Sequence, residues 1–335
     1  MIIKKIFGYL LIMTLLVIIC PLFSSAQTVS SLAGQIEITI TPENPEPLQM
    51  VAASLQSFSY DLDRSKITWL VDGVEKKTDM GLKEFSTLAG KNGQKTTVKA
   101  RIQVTDGLKE VEISFTPSVV DLVYEARSYT PPFYKGRALN PKQGLVVVTA
   151  IPELIKSTGE KILSQNIVYT WKKNGEAQAY ASGVAKNTFS FSGTVPIRDN
   201  SVEVTVSSLI GNLTASKKIN ISAIDPKIVF YEDSPIYGVM FNKAIINTVK
   251  LVSDEFKVKT FPYFMSVGYA QSPDLKYKWV VNSNPVQNLE EDSTAMIFRQ
   301  ENSGAGVANI TLNVESISKI FQLGTNSFVI NFEKQ

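Results

Sequence analysis

Ile67-Thr68-Trp69-Leu70-Val71-Asp72-Gly73, Tyr169-Thr170-Trp171-Lys172-Lys173-Asn174-Gly175 and Tyr277-Lys278-Trp279-Val280-Val281-Asn282-Ser283 are three copies of one pattern. An apolar residue stands two before the tryptophan and an Asp or Asn three after it, and every tryptophan of the chain lies in one of these copies. They are 102 and 108 residues apart, about the length of one β-sandwich. The spacing predicts an all-β chain of three tandem sandwiches.

Working outward, each copy is flanked by runs that alternate apolar and polar residues. Ile36, Ile38 and Ile40 alternate with Glu37, Thr39 and Thr41, and Val98, Ala100, Ile102 and Val104 alternate with Lys99, Arg101 and Gln103. Such a period of two means a strand with one face buried and one wet. Strands centred on Ala100, Val204 and Leu312 follow the tryptophans by 31, 33 and 33 residues, a constancy expected of repeats. The order continues with strands at 145–151, where Pro152 is expected to break the run, and at 188–192, 202–209, 218–223, 294–299, 307–314 and 328–332. Pro152 to Ser164 and Asn242 to Glu255 are the best candidates for a helical turn or short helix. The expected divisions are 35–117, 118–225 and 226–335. Val123-Tyr124-Glu125 in the second unit matches Phe230-Tyr231-Glu232 in the third, each followed by a Pro and a Tyr, Pro132 and Tyr134 or Pro235 and Tyr237.

Residues 1–26 read as a secretory signal peptide helix. Lys4 and Lys5 precede an apolar run from Ile6 to Cys20, Pro21 ends it, and Ser24-Ser25-Ala26 places small residues for cleavage before Gln27. Residues 27–34 form a flexible leader. The implied location is the cell envelope or the outside of the cell, with the membrane touched only through residues 1–26 if they are retained.

The 335 residues carry 34 Lys and Arg against 31 Asp and Glu. So even a balance, with no basic cluster, speaks against nucleic acid as a partner. Histidine is absent, and the one cysteine, Cys20, lies in the leading apolar run. This removes Ser-His-Asp and Cys-His catalysis, His or Cys zinc sites and a disulfide in the mature chain. Asp61-Leu62-Asp63 and Glu290-Glu291-Asp292 are carboxylate clusters without an EF-hand spacing and read as solvated turns, so no metal, cofactor or catalytic residue is assigned.

Trp69, Trp171 and Trp279 are assigned to the core. A surface site is sought in Tyr129-Thr130-Pro131-Pro132-Phe133-Tyr134-Lys135-Gly136-Arg137, where Tyr129, Phe133, Tyr134, Lys135 and Arg137 combine stacking rings with charge, suited to a glycan or a partner protein at the cell surface. Its structural alternative is a joint packing the first unit against the second, and the similar stretch from Tyr231 to Phe241 favours a joint.

The tryptophan-strand motif, an aromatic residue or Ile, one residue, Trp, two residues, Asp or Asn, then Gly, resembles that of immunoglobulin-like and PKD-type modules of bacterial surface proteins. The chain lacks the paired cysteines of antibody domains, and Ser283 replaces the Gly in the third copy. The resemblance implies Ig-like sandwiches acting as spacers, adhesion surfaces or assembly subunits. With no catalytic residue assigned, the reading is an exported, non-enzymatic surface protein, with carbohydrate binding through 129–137 as the alternative.

Overall fold

The structure, a computed structural model, describes residues 36–210, 212–251, 255–300 and 305–333; the signal peptide and leader expected over 1–34 lie outside them. The described residues fall into two compact bodies, one holding 36–39, 53–85 and 99–112 and the other the rest. Twenty-four strands form six sheets, and there is no α-helix among the described residues.

The first pair of sheets comprises β1 (Ile36–Thr41), β2 (Met50–Ser57), β3 (Lys66–Val71), β4 (Val74–Met80), β5 (Glu84–Leu88), β6 (Thr96–Val104) and β7 (Gly107–Phe115). Its orders are β1-β2-β5 and β4-β3-β6-β7. Trp69 on β3 stacks on Phe85 of β5 with ring centroids 5.4 Å apart, bringing one sheet onto the other.

The second pair comprises β8 (Val119–Arg127), β9 (Leu145–Glu153), β10 (Ile167–Lys173), β11 (Glu176–Ala177), β12 (Gly183–Val184), β13 (Thr188–Ser192), β14 (Asn200–Ser208) and β15 (Thr214–Ile221). The same order recurs as β13-β9-β8 and β11-β10-β14-β15, with β12 also on β10. The inward residues of both sheets, among them Val146, Val148, Trp171, Phe189 and Val204, form one core.

The third pair comprises β16 (Lys227–Ser234), β17 (Gly238–Ile245), β18 (Thr248–Leu251), β19 (Glu255–Tyr263), β20 (Leu275–Val281), β21 (Asn284–Val286), β22 (Ala295–Arg299), β23 (Gly306–Ser316) and β24 (Leu323–Phe332). It repeats the order again, as β17-β16-β19-β22 and β18-β24-β23-β20-β21, and adds two edge strands, β17 and the parallel β18. Phe230, Val258, Trp279, Leu312 and Phe328 lie in its core.

The constant tryptophan spacing has a direct cause. Trp171 lies opposite Val204 on β14, and Trp279 opposite Leu312 on β23, so the distance along the chain is the length of the return path between fixed partners. The Asp or Asn of the motif is the first residue of a two-residue hairpin. Asp72 and Gly73, Asn174 and Gly175, and Asn282 and Ser283 all have φ between 46° and 84°, the signature of a type I′ turn. The second and third turns are tied to a neighbouring strand. Asn174 Oδ1 accepts from Ser201 N at 2.8 Å while its own N–H donates to Ser201 O, and Asn282 does the same with Asn309. The side chain thus ties the hairpin to the strand that will cover it.

Ser283 holds φ +67°, where a Cβ is strained and glycine is not. Ser283→Gly is therefore expected to raise stability by about 0.5–1 kcal/mol, read as a higher urea midpoint for the third sandwich. An unchanged or lowered midpoint would refute the strain.

Four expectations need correction. Pro152 does not break its strand: β9 runs to Glu153, and Pro152 pairs with Val120. The register between β13 and β9 ends at Thr149, so at Pro152 β9 is ladder-paired on one side only, where a missing N–H is tolerated. Pro262 sits the same way, opposite Ile228 and beyond the β19–β22 register. The candidate helix at 242–255 is instead strand β17, strand β18 and the start of β19, and 152–164 is the end of β9 and a loop closed by an Ile155–Lys161 bridge. Finally, the match of Val123-Tyr124-Glu125 to Phe230-Tyr231-Glu232 is out by one residue. Aligned on the two prolines, Val123 is the counterpart of Tyr231. Tyr124 consequently packs on its own core while Tyr231 faces outward, because a one-residue slip exchanges the faces of a strand.

Candidate functional site: an aromatic joint between the second and third sandwiches

The tryptophans are at 0, 0 and 1% exposure in chain order. Trp69 Nε1 donates to Leu82 O at 2.8 Å and Trp171 Nε1 to Lys186 O at 2.9 Å. Trp279 Nε1 is buried without a partner among the described residues.

The aromatic stretch 129–137 leaves β8 and crosses to the outer face of the third sandwich. Its first residue is held by backbone: Tyr129 N–H donates to Met265 O and Phe264 N–H to Tyr129 O, both at 2.7 Å. The Phe133 ring then lies 4.0 Å from that of Phe241 and edge-on to Tyr231 and Phe261. Tyr134 meets Tyr263 and Phe264, each with centroids 5.7 Å apart and near-perpendicular planes, an arrangement in which ring edges meet ring faces favourably. Tyr231 and Tyr263 hydroxyls share a buried hydrogen bond of 3.2 Å. Burial, reinforced by the Tyr231 hydroxyl, pushes the Tyr263 phenol up, and burial does the same to Tyr129, so these two rings stay uncharged at neutral pH.

The charged end of the stretch is different. Lys135 and Arg137 are exposed, and the Arg137 guanidinium lies 4.2 Å from the Tyr124 ring centre and donates to its hydroxyl at 2.7 Å. The structure brings Tyr129, Phe133 and Tyr134 together against the third sandwich and leaves Lys135 outside.

A second clamp was not visible in the sequence. Gln322, 1% exposed, donates through Nε2 to Lys142 O and Ser266 Oγ, both at 2.7 Å, and accepts from Ser266 N at 2.8 Å. Phe321 N–H adds a bond to Gln143 Oε1. Lys142 in turn pairs with Asp225 at 2.6 Å, tying the connecting segment down. The sequence signal for the acceptor surface was Phe261-Pro262-Tyr263-Phe264, since adjacent aromatics cannot all enter one core. Gln322, which bonds a residue 180 positions away, had no local signal.

The expectation that 129–137 packs the first unit against the second is therefore corrected. That contact is made elsewhere, by Lys217 with Glu46 at 2.7 Å, Asn92 Nδ2 with Glu153 O at 3.3 Å, and Gly93 N–H with Pro117 O at 3.0 Å. Gly93 has φ +79°, and a Cβ there would lie 2.8 Å from Ile155 O; only glycine allows this approach. The rings of 129–134 go to the third sandwich, whose outer face carries Tyr231, Phe261, Tyr263 and Phe264 to receive them.

The carboxylate clusters are engaged locally. Asp61 Oδ1 accepts from Asp63 N, and Asp63 pairs with Lys83 at 2.8 Å. Asp292 pairs with Lys259 and accepts from the Thr294 hydroxyl at 2.6 Å and N–H at 3.0 Å. No group of three His, Cys, Asp or Glu suited to a metal ion occurs among the described residues.

Burial alone would raise the Asp292 carboxyl, but the hydrogen bonds from Lys259 and Thr294 outweigh it and hold it down at about 2. A depressed carboxyl stabilises the fold above its unfolded value, near 3.8, and that contribution is lost as pH falls through the folded one. Between about pH 5 and pH 2.5 the wild type should lose more denaturant resistance than Asp292→Asn, which starts lower at pH 5. Parallel losses in the two proteins would show that the pair does not couple to folding.

Repeated strand order, a buried tryptophan in each repeat and two-layer cores define an array of tandem immunoglobulin-like β-sandwiches. No protein-family profile matches the chain, and no curated protein is significantly similar to it. Similar solved structures include three N-terminal domains of the bacteriophage RB49 highly immunogenic outer capsid protein, at 11% identity over 90% of this chain and 99% of that one, TM-score 0.25. The central fibronectin-III array of RIM-binding protein is 12% identical over 89% and 96%, TM-score 0.29. A Bacteroides ovatus mixed-linkage glucan utilization protein, SGBP-B, in complex with a heptasaccharide is 12% identical over 88% and 71%, TM-score 0.22. The fold assignment rests on the sheets and cores of this chain itself.

Proposed function

We propose that the chain is an exported, non-enzymatic structural or adhesion protein of a bacterial cell surface, built of three Ig-like, PKD-like modules over 35–117, 118–225 and 226–335. The observation that carries this reading is the clamped joint. Gln322 and the Tyr129–Tyr134 rings hold the second and third modules together by side chains and backbone, as a load-bearing or spacing element requires and as freely hinged modules do not provide. Removal of residues 1–26 belongs to the same reading.

The test uses intact source cells and a membrane-impermeant amine reagent. The expected result is a labelled chain beginning at Gln27. An unlabelled chain still carrying Met1 would overturn the export reading. Carbohydrate binding through 129–137 gains no support, since Phe133 and Tyr134 are engaged by the third sandwich and a sugar would have to displace them.

A further inference from the structure

The joint has a second, unoccupied counterpart. In the second sandwich, the connection from first to second strand carries Pro132-Phe133-Tyr134, seated on the outer face of the next sandwich at Tyr231, Phe261 and Tyr263. In the third, the corresponding connection carries Pro235-Ile236-Tyr237 at the tip of the β16–β17 hairpin. There Ile236 and Tyr237 are 82% and 77% exposed. The tip is ordered, with Ser234 Oγ accepting from the N–H groups of both residues at 3.4 Å. An apolar pair presented by an ordered turn is costly to leave in water and is pre-arranged for docking.

A matching acceptor also stands open. Aligned on Pro152 and Pro262, Val123 is the counterpart of Tyr231 and Ile151 of Phe261. Val123 and Ile151 are 51% and 52% exposed. They share the outer face of β8 and β9 with Leu145, 40% exposed, since their cross-strand partners are Thr149, Asp121 and Arg127. The described residues of the second and third sandwiches thus hold one filled plug-and-face contact, one exposed plug and one exposed face.

We propose that the Ile236–Tyr237 tip of one copy seats on the Val123–Ile151 face of a second copy, repeating between chains the contact that Phe133 and Tyr134 make within one. The contact is heterologous, so each associated pair keeps a free tip and a free face, and growth continues head to tail. It holds whether or not the chain is exported.

Sedimentation equilibrium of the full chain, from roughly micromolar to millimolar, reads this out. The weight-average mass is expected to climb past twice the 37.0 kDa of one chain. Ile236→Ser with Tyr237→Ser, and separately Val123→Lys with Ile151→Lys, should each remain monomeric with unchanged circular dichroism. Mixed together they should form a one-to-one dimer, because one retains the face and the other the tip. A wild type that stays monomeric throughout, association persisting in either variant, or a mixture that does not pair would overturn the proposal.

Discussion

Trp171→Ala is expected to cost about 3 to 5 kcal/mol and to unfold the second sandwich while the others keep their own tryptophan fluorescence. Trp171 is fully buried, packs on Phe189 with centroids 5.7 Å apart, and faces Val204 across β14. Removing the indole leaves a cavity between two sheets and strips Lys186 O of its donor. A chemical-denaturation curve superimposable on the wild type would contradict the core assignment. Phenylalanine separates the two contributions. Trp171→Phe loses the hydrogen bond as well as volume, whereas Trp279→Phe removes an N–H that has no acceptor among the described residues. Since an unpaired buried donor costs about 1–3 kcal/mol, the change at 279 should be the milder one. Equal losses would indicate that the hydrogen bond at 171 contributes nothing.

Gln322→Leu is expected to destabilise the third sandwich by about 1–3 kcal/mol, because it leaves the half-buried Lys142 O and Ser266 N without their partners. The apolar volume is nearly preserved, so the loss reports polar groups and not a cavity. Its second consequence is uncoupling. Wild-type second and third sandwiches should unfold in overlapping transitions, and the variant should show them apart. Phe133→Ala, which empties the aromatic side of the same joint, should separate them in the same direction. Transitions that stay merged in both variants would mean that the two modules are coupled by some other contact.

The parts of this fold that were legible are those governed by short spacings. The tryptophan motif was readable because a type I′ turn favours Asn or Asp followed by Gly, and that pair begins three residues beyond each indole, with Ser283 replacing the Gly in the third copy. The alternation at Val98 to Val104 was readable because one of its faces is buried. Strand β4, Val-Glu-Lys-Lys-Thr-Asp-Met, is exposed along most of its length and has no alternation to detect; it exists because β3 offers it hydrogen bonds. The end of β17 and β18 are likewise largely exposed, so 242–255 carries no strand alternation in the sequence. Pro152 reads as a breaker because its one-sided ladder pairing is a property of the sheet and not of the chain.

For the joint, composition pointed to the aromatic arm but to the wrong neighbour. The residues that receive it, Tyr231, Phe241, Phe261 and Tyr263, are about a hundred positions further along the chain, and Gln322 is further still. The amino-acid order by itself determined that the chain forms repeated two-layer sandwiches with one tryptophan in each core, since periodicity and turn chemistry act between residues a few places apart. Only the tertiary structure decided which module the arm grips, which residue of each repeat corresponds to which, and where a buried glutamine closes the gap. Those depend on side chains that meet through space, across distances over which the order of residues carries no period.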